Sequence, residues 1–270
     1  MSGVARYRAV ALGGSLTASF EPHADGSTRV RSTEPLQPYA QRLTDQLVYW
    51  AEKAPDRTLV AKRVDRGDWR RVSYAQALRA ARSIAQSLLD RGLSVDRPVA
   101  ILSDNDIEHL LITLGAMLAG VPFAPVSPAY SLLSQDHGKL RHILGTLTPG
   151  LVFASDGDAY AKAIQAVVPG ETALVLTRGT VEGRCAHTFD DLLATPATAQ
   201  VDAAHAQVGP DTIAKFLFTS GSTKLPKGVI NTQRMLCSNQ QMIRQCFPHL
   251  AEEPPVLVDW LPWNLSLIHI

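Results

Sequence analysis

The chain has 270 residues, enough for one large domain or two small ones with a sizeable buried core. Hydrophobic residues make up 46% and charged residues 19% of the sequence, which excludes intrinsically disordered and collagen-like proteins. Because 26 basic and 25 acidic residues leave a formal net charge of +1, the chain has no overall positive field for nucleic acid or an anionic membrane. An anionic ligand must therefore bind at a local site.

The cysteines and the apolar runs predict a cytoplasmic protein without a membrane span. Cys185, Cys237 and Cys246 are odd in number and form no Cys-x-x-Cys pair, which argues against a disulfide framework and a cysteine-rich zinc site. The N-terminus lacks the continuous apolar segment of a signal peptide. The longest apolar run, residues 110–121, stops at Pro122 and is too short to cross a bilayer.

The first hundred residues contain an arm, two helices and a strand. Residues 1–38 show no sustained hydrophobic period, so we expect them to form an arm that packs against a domain. A helical pattern over 39–54 ends before a proline, and a strand is predicted at Thr58–Lys62. The clearest helix is predicted at Ser73–Gly92, because its first residue and Gln76 form a capping box and a glycine ends it.

From residue 99 onward, predicted strands and helices alternate. They are, in order, strand Val99–Leu102, a helix from its cap Asn105 to Gly120, strand Val121–Val126, helix Ser134–Leu147, strand Leu151–Ala154, helix Asp158–Val168, strand Ala173–Leu176, strand Ile213–Phe218 and a helix from its cap Thr232 to Cys246. This alternation predicts an α/β fold with mostly parallel sheets flanked by helices.

Three details of this pattern are less regular. The prolines in and around Val121–Val126 favour a marginal or edge strand over a central one. Thr195–Asp211 has few large apolar residues and is predicted to be a connecting loop, which could join two subdomains. On the last helix we expect four apolar residues to face the core, namely Met235, Leu236, Met242 and Ile243.

The segment with the clearest chemical signal lies between the last predicted strand and the last predicted helix. It reads TSGSTKLPKG over residues 219–228, and its candidate ligand-binding residues are Thr219, Ser220, Gly221, Ser222, Thr223, Lys227 and Gly228. Its glycines permit positive φ and close approach, so backbone N–H groups and hydroxyls can converge on an oxyanion, and Lys227 adds a positive charge. The segment is not a Walker A loop, which disfavours a P-loop NTPase. A solvated Ser/Thr turn is the alternative, but the position after a strand of an α/β sheet favours a ligand site.

This segment closely resembles the phosphate-binding signature [ST]-S-G-[ST]-T-G-x-P-K-G of the AMP-forming acyl-activating enzymes. The departure is Lys224, where most of the family has glycine. Residues 73–92, 98–102 and 115–126 are similar to core segments of the same family. Residues 42–45, 50–51, 54–58, 231–236 and 259–264 resemble feruloyl-CoA synthases in particular.

The resemblance implies an ATP- and Mg²⁺-dependent ligase with the N-terminal part of an adenylate-forming domain. A carboxylate attacks the α-phosphorus of ATP to give an acyl-adenylate and pyrophosphate, and the thiol of coenzyme A then displaces AMP. The signature residues would hold the β- and γ-phosphates, with Lys227 as the catalytic cation. Trp260, Trp263 and Asn264 would approach the pocket of an aromatic acid, ferulate or a related hydroxycinnamate.

The resemblance also implies that this chain is a fragment, inactive alone, because the family's ribose, magnesium and hinge motifs would lie further along. We expect an arm at 1–38, a partial AMP-binding domain at 39–264 and a non-native tail at 265–270, whose residues correspond to adaptor codons. Two alternatives stay open, an adenylation domain that loads a carrier protein and a truncated nucleotide-binding domain without turnover. The sequence does not indicate an oligomeric state.

Other polar residues are expected to be structural, and no metal ligand is assigned. His137 and His142 are five positions apart, a poor fit to a metal pair, and are predicted to lie on a helix surface. His109 is expected to pack or cap, and Cys237 and Cys246 are expected to be buried in the core. A basic cluster with interspersed aspartates is predicted to be a solvated hairpin, and it comprises Lys62, Arg63, Arg66, Arg70 and Arg71.

Overall fold

The computed structural model describes residues 10, 12–15, 17–64, 67–219, 225–252 and 255–264. Its strands are β1 (Ala18–Pro22), β2 (Thr28–Ser32), β3 (Thr58–Arg63), β4 (Trp69–Ser73), β5 (Val99–Leu102), β6 (Phe123–Pro125), β7 (Leu151–Ala154), β8 (Ala173–Leu176), β9 (His187–Thr188), β10 (Ile213–Thr219) and β11 (Lys227–Thr232). Its helices are α1 (Thr44–Lys53), α2 (Tyr74–Asp90), α3 (Ile107–Ala119), α4 (Ala129–Leu132), α5 (Gly138–Leu147), α6 (Gly157–Val167), α7 (Phe189–Leu193), α8 (Ala199–Gln207), α9 (Gln233–Cys246) and α10 (His249–Glu252).

A seven-stranded sheet, in the order β11-β10-β6-β5-β7-β8-β9, forms the centre of the fold. The six strands from β10 to β9 are parallel, and β11 runs antiparallel to β10 at one edge. The hairpins β1-β2 and β3-β4 are separate two-stranded antiparallel sheets. The predicted α/β fold with a mostly parallel sheet is confirmed, and the carboxyl ends of all six parallel strands meet at one edge of the sheet.

The inner strands are apolar because helices cover both faces of the sheet. Successive residues of β5 point to opposite faces, so Val99 and Ile101 pack in one apolar cluster while Ala100 and Leu102 pack in the other. The first cluster includes buried residues of α1, α2, α3, α7 and α8, and the second includes buried residues of α5 and α6. The sheet is thus the middle layer of a three-layer core.

The strand β6 is short, as its prolines indicate, but it lies in the interior of the sheet between β10 and β5. The prediction of a marginal or edge position is therefore wrong about its place. Neighbouring backbone groups supply the hydrogen bonds that a proline nitrogen cannot donate: Val99 N donates to Pro122 O (3.0 Å), and Val126 N donates to Ile101 O (2.9 Å).

The segment predicted to be a connecting loop at Thr195–Asp211 contains α8, so that prediction is wrong over Ala199–Gln207. The Thr198 hydroxyl caps this helix by accepting from Gln200 N (3.2 Å), and Val201 is fully buried. The carboxamide of Gln86 on α2 accepts from Thr198 N (3.0 Å). A single large apolar residue and these polar contacts hold α8 on the same core as α2 and α3, so the segment does not separate two subdomains.

The helix α9 begins after its predicted cap, Thr232, but its apolar residues face differently from the prediction. Leu236 is buried, whereas Met235, Met242 and Ile243 are exposed by 51%, 48% and 37%. The buried side of α9 is formed by Gln233, Leu236 and Cys237, which follow the i, i+3, i+4 spacing of one helical face. Cys237 is thus buried as predicted, whereas Cys246 at the end of α9 is exposed, so its predicted burial is wrong.

The N-terminal arm contacts α9, since Gln37 N donates to Gln245 Oε1 (2.8 Å). The arm also contains the hairpin β1-β2, which the sequence analysis did not predict. Every residue of both strands is exposed, so the hairpin has no buried face that a hydrophobic pattern could have revealed.

Within the described residues, no helix is both long enough and apolar enough to cross a membrane.

The close packing of α2 on α3 predicts opposite effects for two glycine substitutions. A Cβ atom on Gly115 would lie 2.5 Å from Ile84 Cγ2, whereas a Cβ atom on Gly145 in α5 would meet no atom within 4 Å. We expect Gly115→Ala to lower the free energy of unfolding by about 1–3 kcal/mol through overpacking. Gly145→Ala should raise it by about 0.5–1 kcal/mol, because alanine loses less backbone entropy in a helix. Urea unfolding of the two variants tests this, and equal effects would contradict the packing described here.

Candidate functional site

The candidate site lies where the parallel strands end, and the two described ends of the loop at 219–228 face each other there. Thr219 is the last residue of β10, and Lys227, the first residue of β11, is its partner in the antiparallel register. The loop therefore closes a hairpin, and the sequence-based expectation that it connects a strand directly to a helix is wrong. Ser220, Gly221, Ser222 and Thr223 lie outside the described residues.

The side chain of Lys227 is exposed and forms no ion pair with any described residue. Thr219 is half-buried beside it. The sequence analysis expected Gly228 to allow a positive φ. Gly228 instead lies in β11 and does not have a positive φ. A cation without an acidic partner and a hydroxyl at the end of a strand form an arrangement that can bind an oxyanion.

A side chain from α5 holds the second end of this loop. His142 Nε2 lies 3.0 Å from the carbonyl oxygen of Pro226, so the Nε2–H tautomer donates to the residue immediately before Lys227. His142 is thus half-buried, and His137 is buried at the start of α5, so the prediction that both lie on a helix surface is wrong. The loop and α5 are far apart in sequence and meet only in the folded chain. The contact of His142 and the burial of His137 could therefore not be inferred from the spacing of the histidines. No group of three or more potential metal ligands occurs in the described parts of the chain.

Next to β5, Asn105 holds the backbone of the second predicted group of site residues. Its side-chain nitrogen donates to Leu261 O (2.7 Å), and its side-chain oxygen accepts from Trp263 N (3.0 Å). The predicted role of Asn105 as the cap of α3 is wrong, because Asp106 occupies that position and accepts from Ile107 N (2.8 Å). Asn105 can bind another segment because its neighbour caps the helix.

The three predicted pocket residues differ in their exposure. Trp263 is half-buried, and its ring meets that of His109 edge-on with 5.0 Å between ring centroids. Asn264 is half-buried as well. Trp260 is 80% exposed, so its side chain does not contribute a packed wall to this edge.

Two ion pairs tie the start of α3 to the hairpin β3-β4. Lys62 Nζ lies 2.7 Å from Asp106 Oδ2, and the guanidinium of Arg70 contacts the carboxylate of the buried Glu108. The basic cluster therefore forms a hairpin as predicted, but two of its members pair with α3 instead of being merely solvated. Arg66, another member, lies outside the described residues.

Both groups of residues belong to one crevice. Thr219 and Lys227 lie at the end of β10, Asn105 follows the end of β5, and only β6 separates those strands. Adjacent strands are about 4.8 Å apart, so the two strand ends lie about 10 Å apart. Ligands of open α/β sheets bind in crevices at this edge.

The buried Lys215 on β10 is a charged group that the sequence analysis did not single out. It is 8% exposed, lies between Phe123 and Asn231 in the sheet register, and has no ion-pair partner in the described structure. Burial lowers its pKa to about 8, because the charged form loses solvation. A lysine within an otherwise apolar strand is the signal that could have identified it.

Comparison with known proteins assigns the family. The family described as "AMP-binding enzyme" matches residues 47–268, most of the chain. The chain therefore belongs to the AMP-binding enzyme family, and its predicted place among the adenylate-forming enzymes is confirmed at that level.

Individual relatives agree with this assignment. Tyrocidine synthase 1 of Brevibacillus parabrevis is 23% identical over 214 residues, which cover 78% of this chain and 17% of that protein. The acetoacetyl-CoA synthetase from Streptomyces lividans matches with a TM-score of 0.63 at 17% identity, over 75% of this chain and 32% of that one. The fatty acyl-adenylate ligase from L. pneumophila, solved with acyl adenylate and pyrophosphate, has a TM-score of 0.56 at 21% identity, over 76% of this chain and 32% of that one. The chain thus spans a small part of each relative, and the structural likeness shows the fold.

The burial of Lys215 predicts how stability depends on pH. Its pKa is about 8 in the folded state against 10.5 for an ordinary lysine, so the unfolded chain binds more protons between these values and folding stability rises with pH there. The full gain is about 3 kcal/mol, at 1.36 kcal/mol per pKa unit. Lys215→Met should remove this rise and should itself stabilise the chain at pH 7, since it removes a buried unpaired charge.

The measurement is urea unfolding of both proteins between pH 7 and 10. Lys53→Met, a substitution of an exposed lysine at the end of α1, is the matched control and should keep the wild-type pH dependence. Parallel pH curves for wild type and Lys215→Met would show that Lys215 is solvated.

Proposed function

We propose that this chain is the phosphate-binding and acid-binding part of an ATP-dependent, AMP-forming ligase for an aromatic carboxylic acid. The acid is ferulate or a related hydroxycinnamate, which becomes an acyl-adenylate and then a thioester of coenzyme A. The observation that carries the proposal is that Thr219 lies opposite Lys227 at the carboxyl end of β10, where Lys227 has no ion pair with a described residue, in a chain of the AMP-binding family. The free thiols of Cys185 and Cys246, both exposed, support a reducing cytoplasmic location.

In this proposal the loop at 219–228 binds the β- and γ-phosphates of ATP. Ser220, Gly221, Ser222 and Thr223 contribute hydroxyl and backbone donors, and Lys227 contributes a full positive charge at the point where the loop rejoins the sheet. Because pyrophosphate leaves with these oxygens, a fixed cation that neutralises their charge favours the transition state. Mg²⁺, which the family uses with ATP, supplies further charge neutralisation at the phosphates; the described residues offer no acidic cluster for it.

The acid occupies the part of the crevice beside α3. Trp263 and Asn264 are half-buried there, and Trp263 is held by Asn105 at the end of β5, two strands from the phosphate end, so a carboxylate bound between these ends can approach the α-phosphorus. Holding both reactants at one sheet edge supplies most of the catalysis, as expected for a transfer that depends on positioning. The preference for an aromatic acid rests on the resemblance to feruloyl-CoA synthases and on the half-buried Trp263 at this edge.

A second candidate, in which the acyl group is loaded onto a carrier protein, is supported by the likeness to tyrocidine synthase 1. The two functions differ in the acceptor thiol. Incubation of the whole protein with ferulate, ATP and either coenzyme A or a phosphopantetheinyl carrier separates them, because only the true acceptor yields a thioester. A truncated domain without turnover would give neither product.

The role of Lys227 predicts the response of nucleotide binding to substitution. Lys227→Ala should weaken binding of ATP and of tripolyphosphate by about 10- to 100-fold, since a hydrogen bond to a charged group contributes about 1.5–3 kcal/mol. Isothermal titration calorimetry of the 270-residue chain measures both ligands. Lys53→Ala removes an exposed lysine elsewhere and should leave both affinities unchanged. Equal affinities for wild type and Lys227→Ala would refute the phosphate site.

A further inference from the structure

The segment that carries Trp263 is attached to the rest of the fold by a small number of directed contacts. Upstream of it, Val256, Leu257 and Val258 are exposed by 94%, 79% and 90%, so they do not anchor the chain. At residues 261–263 the backbone is bound by the carboxamide of Asn105 through one donated and one accepted hydrogen bond. Asn105 therefore fixes both the position and the direction of this backbone.

The indole of Trp263 is oriented by two further groups. Asp259 accepts from Leu261 N (3.1 Å) with one carboxylate oxygen and from Trp263 Nε1 with the other. His109 contacts the indole edge-on from α3, and its Nδ1 lies 3.1 Å from Asp104 O. A tryptophan ring whose nitrogen, backbone and edge are all bound has little freedom to rotate.

The support for these contacts is itself rigid. Asn105 lies directly before α3, whose first residues are tied to the hairpin β3-β4 by Lys62–Asp106 and Arg70–Glu108. Side chains that orient a binding group are effective when their own positions are locked in this way. Asp106, and not Asn105, caps α3, so the Asn105 side chain is available to bind residues 261–263.

We infer that Asn105 and Asp259 are positioning residues that hold the indole of Trp263 as the aromatic wall of the acid-binding crevice. This inference rests on the proposed function and adds to it the residues that set the preference for planar aromatic acids. An aromatic acid gains offset stacking on an oriented indole, whereas a flexible aliphatic acid gains only apolar contact. Loss of the orientation should therefore affect binding of the aromatic acid and leave ATP binding unchanged.

The test uses the whole protein that contains this chain and measures acid-dependent exchange of labelled pyrophosphate into ATP. Asn105→Ala should raise the KM for ferulate by about 10-fold, which is about 1.4 kcal/mol, with less than about a 2-fold change for ATP or hexanoate. Trp263→Leu should give a similar rise, and Trp263→Phe should restore most of the affinity because it keeps an aromatic ring. Asn239→Ala, on α9, is the matched control, since the Asn239 side chain forms no hydrogen bond to a described residue and α9 follows the edge strand β11, three strands from β5.

A double-mutant cycle separates positioning from a general loss of structure. If Asn105 acts through Trp263, the combination of Asn105→Ala with Trp263→Leu should raise the KM for ferulate no more than either change alone. Additive effects, or equal rises for ferulate, hexanoate and ATP, would overturn the inference. If the wild type exchanges pyrophosphate with hexanoate but not with ferulate or another aromatic acid, the aromatic assignment fails and the inference with it. A wild type that exchanges pyrophosphate with none of the acids tested would overturn the proposed function itself.

Discussion

The parallel register of the central sheet is the constraint on which the rest of the structure depends. Because β10, β6 and β5 run in the same direction, the polar segments that follow them emerge at one edge, although they are more than a hundred residues apart in sequence. The register is maintained by apolar strands buried on both faces and by backbone hydrogen bonds that bypass the prolines of β6. A reversal of β10 would place Thr219 and Asn105 at opposite ends of the sheet.

Hydrogen bonds from neighbouring side chains hold the backbone of both segments that carry the candidate site residues. The loop that ends at Lys227 is held by His142 from α5, and the segment that ends at Asn264 is held by Asn105 ahead of α3. These helices cover opposite faces of the sheet, so each wall of the crevice has its own support. The chain's near-zero net charge is compatible with this arrangement, because the exposed Lys227 provides a local charge where the proposed phosphates bind.

The parts of the fold that could be predicted from the sequence are those that depend on local patterns. The bounds of β5, β7 and β8 agree with the prediction, because short apolar runs between turns leave little choice of strand ends. The capping box of Ser73 and Gln76 is also present. Three-dimensional context decided the rest. The position of β6 depends on which strands flank it, α8 depends on contacts with α2, and the outward face of α9 depends on where the sheet lies.

In the candidate site, too, some features follow from the local sequence and others from tertiary contacts. The signature around Lys227 is local and could be recognised from the sequence, whereas its hairpin geometry follows from the pairing of β10 with β11. Asn105 and Asp106 are both good caps, and the sequence alone could not decide which residue caps α3 and which binds the segment at 261–263. Likewise, Trp260 and Trp263 belong to one short motif but differ widely in burial, because only Trp263 reaches His109.

The most direct test of the account is the position of bound ligands in a crystal of the whole protein grown with a non-hydrolysable ATP analogue and ferulate. We expect the triphosphate to bind between Thr219 and Gly228, with the ferulate ring against Trp263. A nucleotide bound away from the carboxyl ends of the parallel strands, for example in the groove of about 560 Å³ that Arg42, Arg82 and His205 line among α1, α2 and α8, would contradict it.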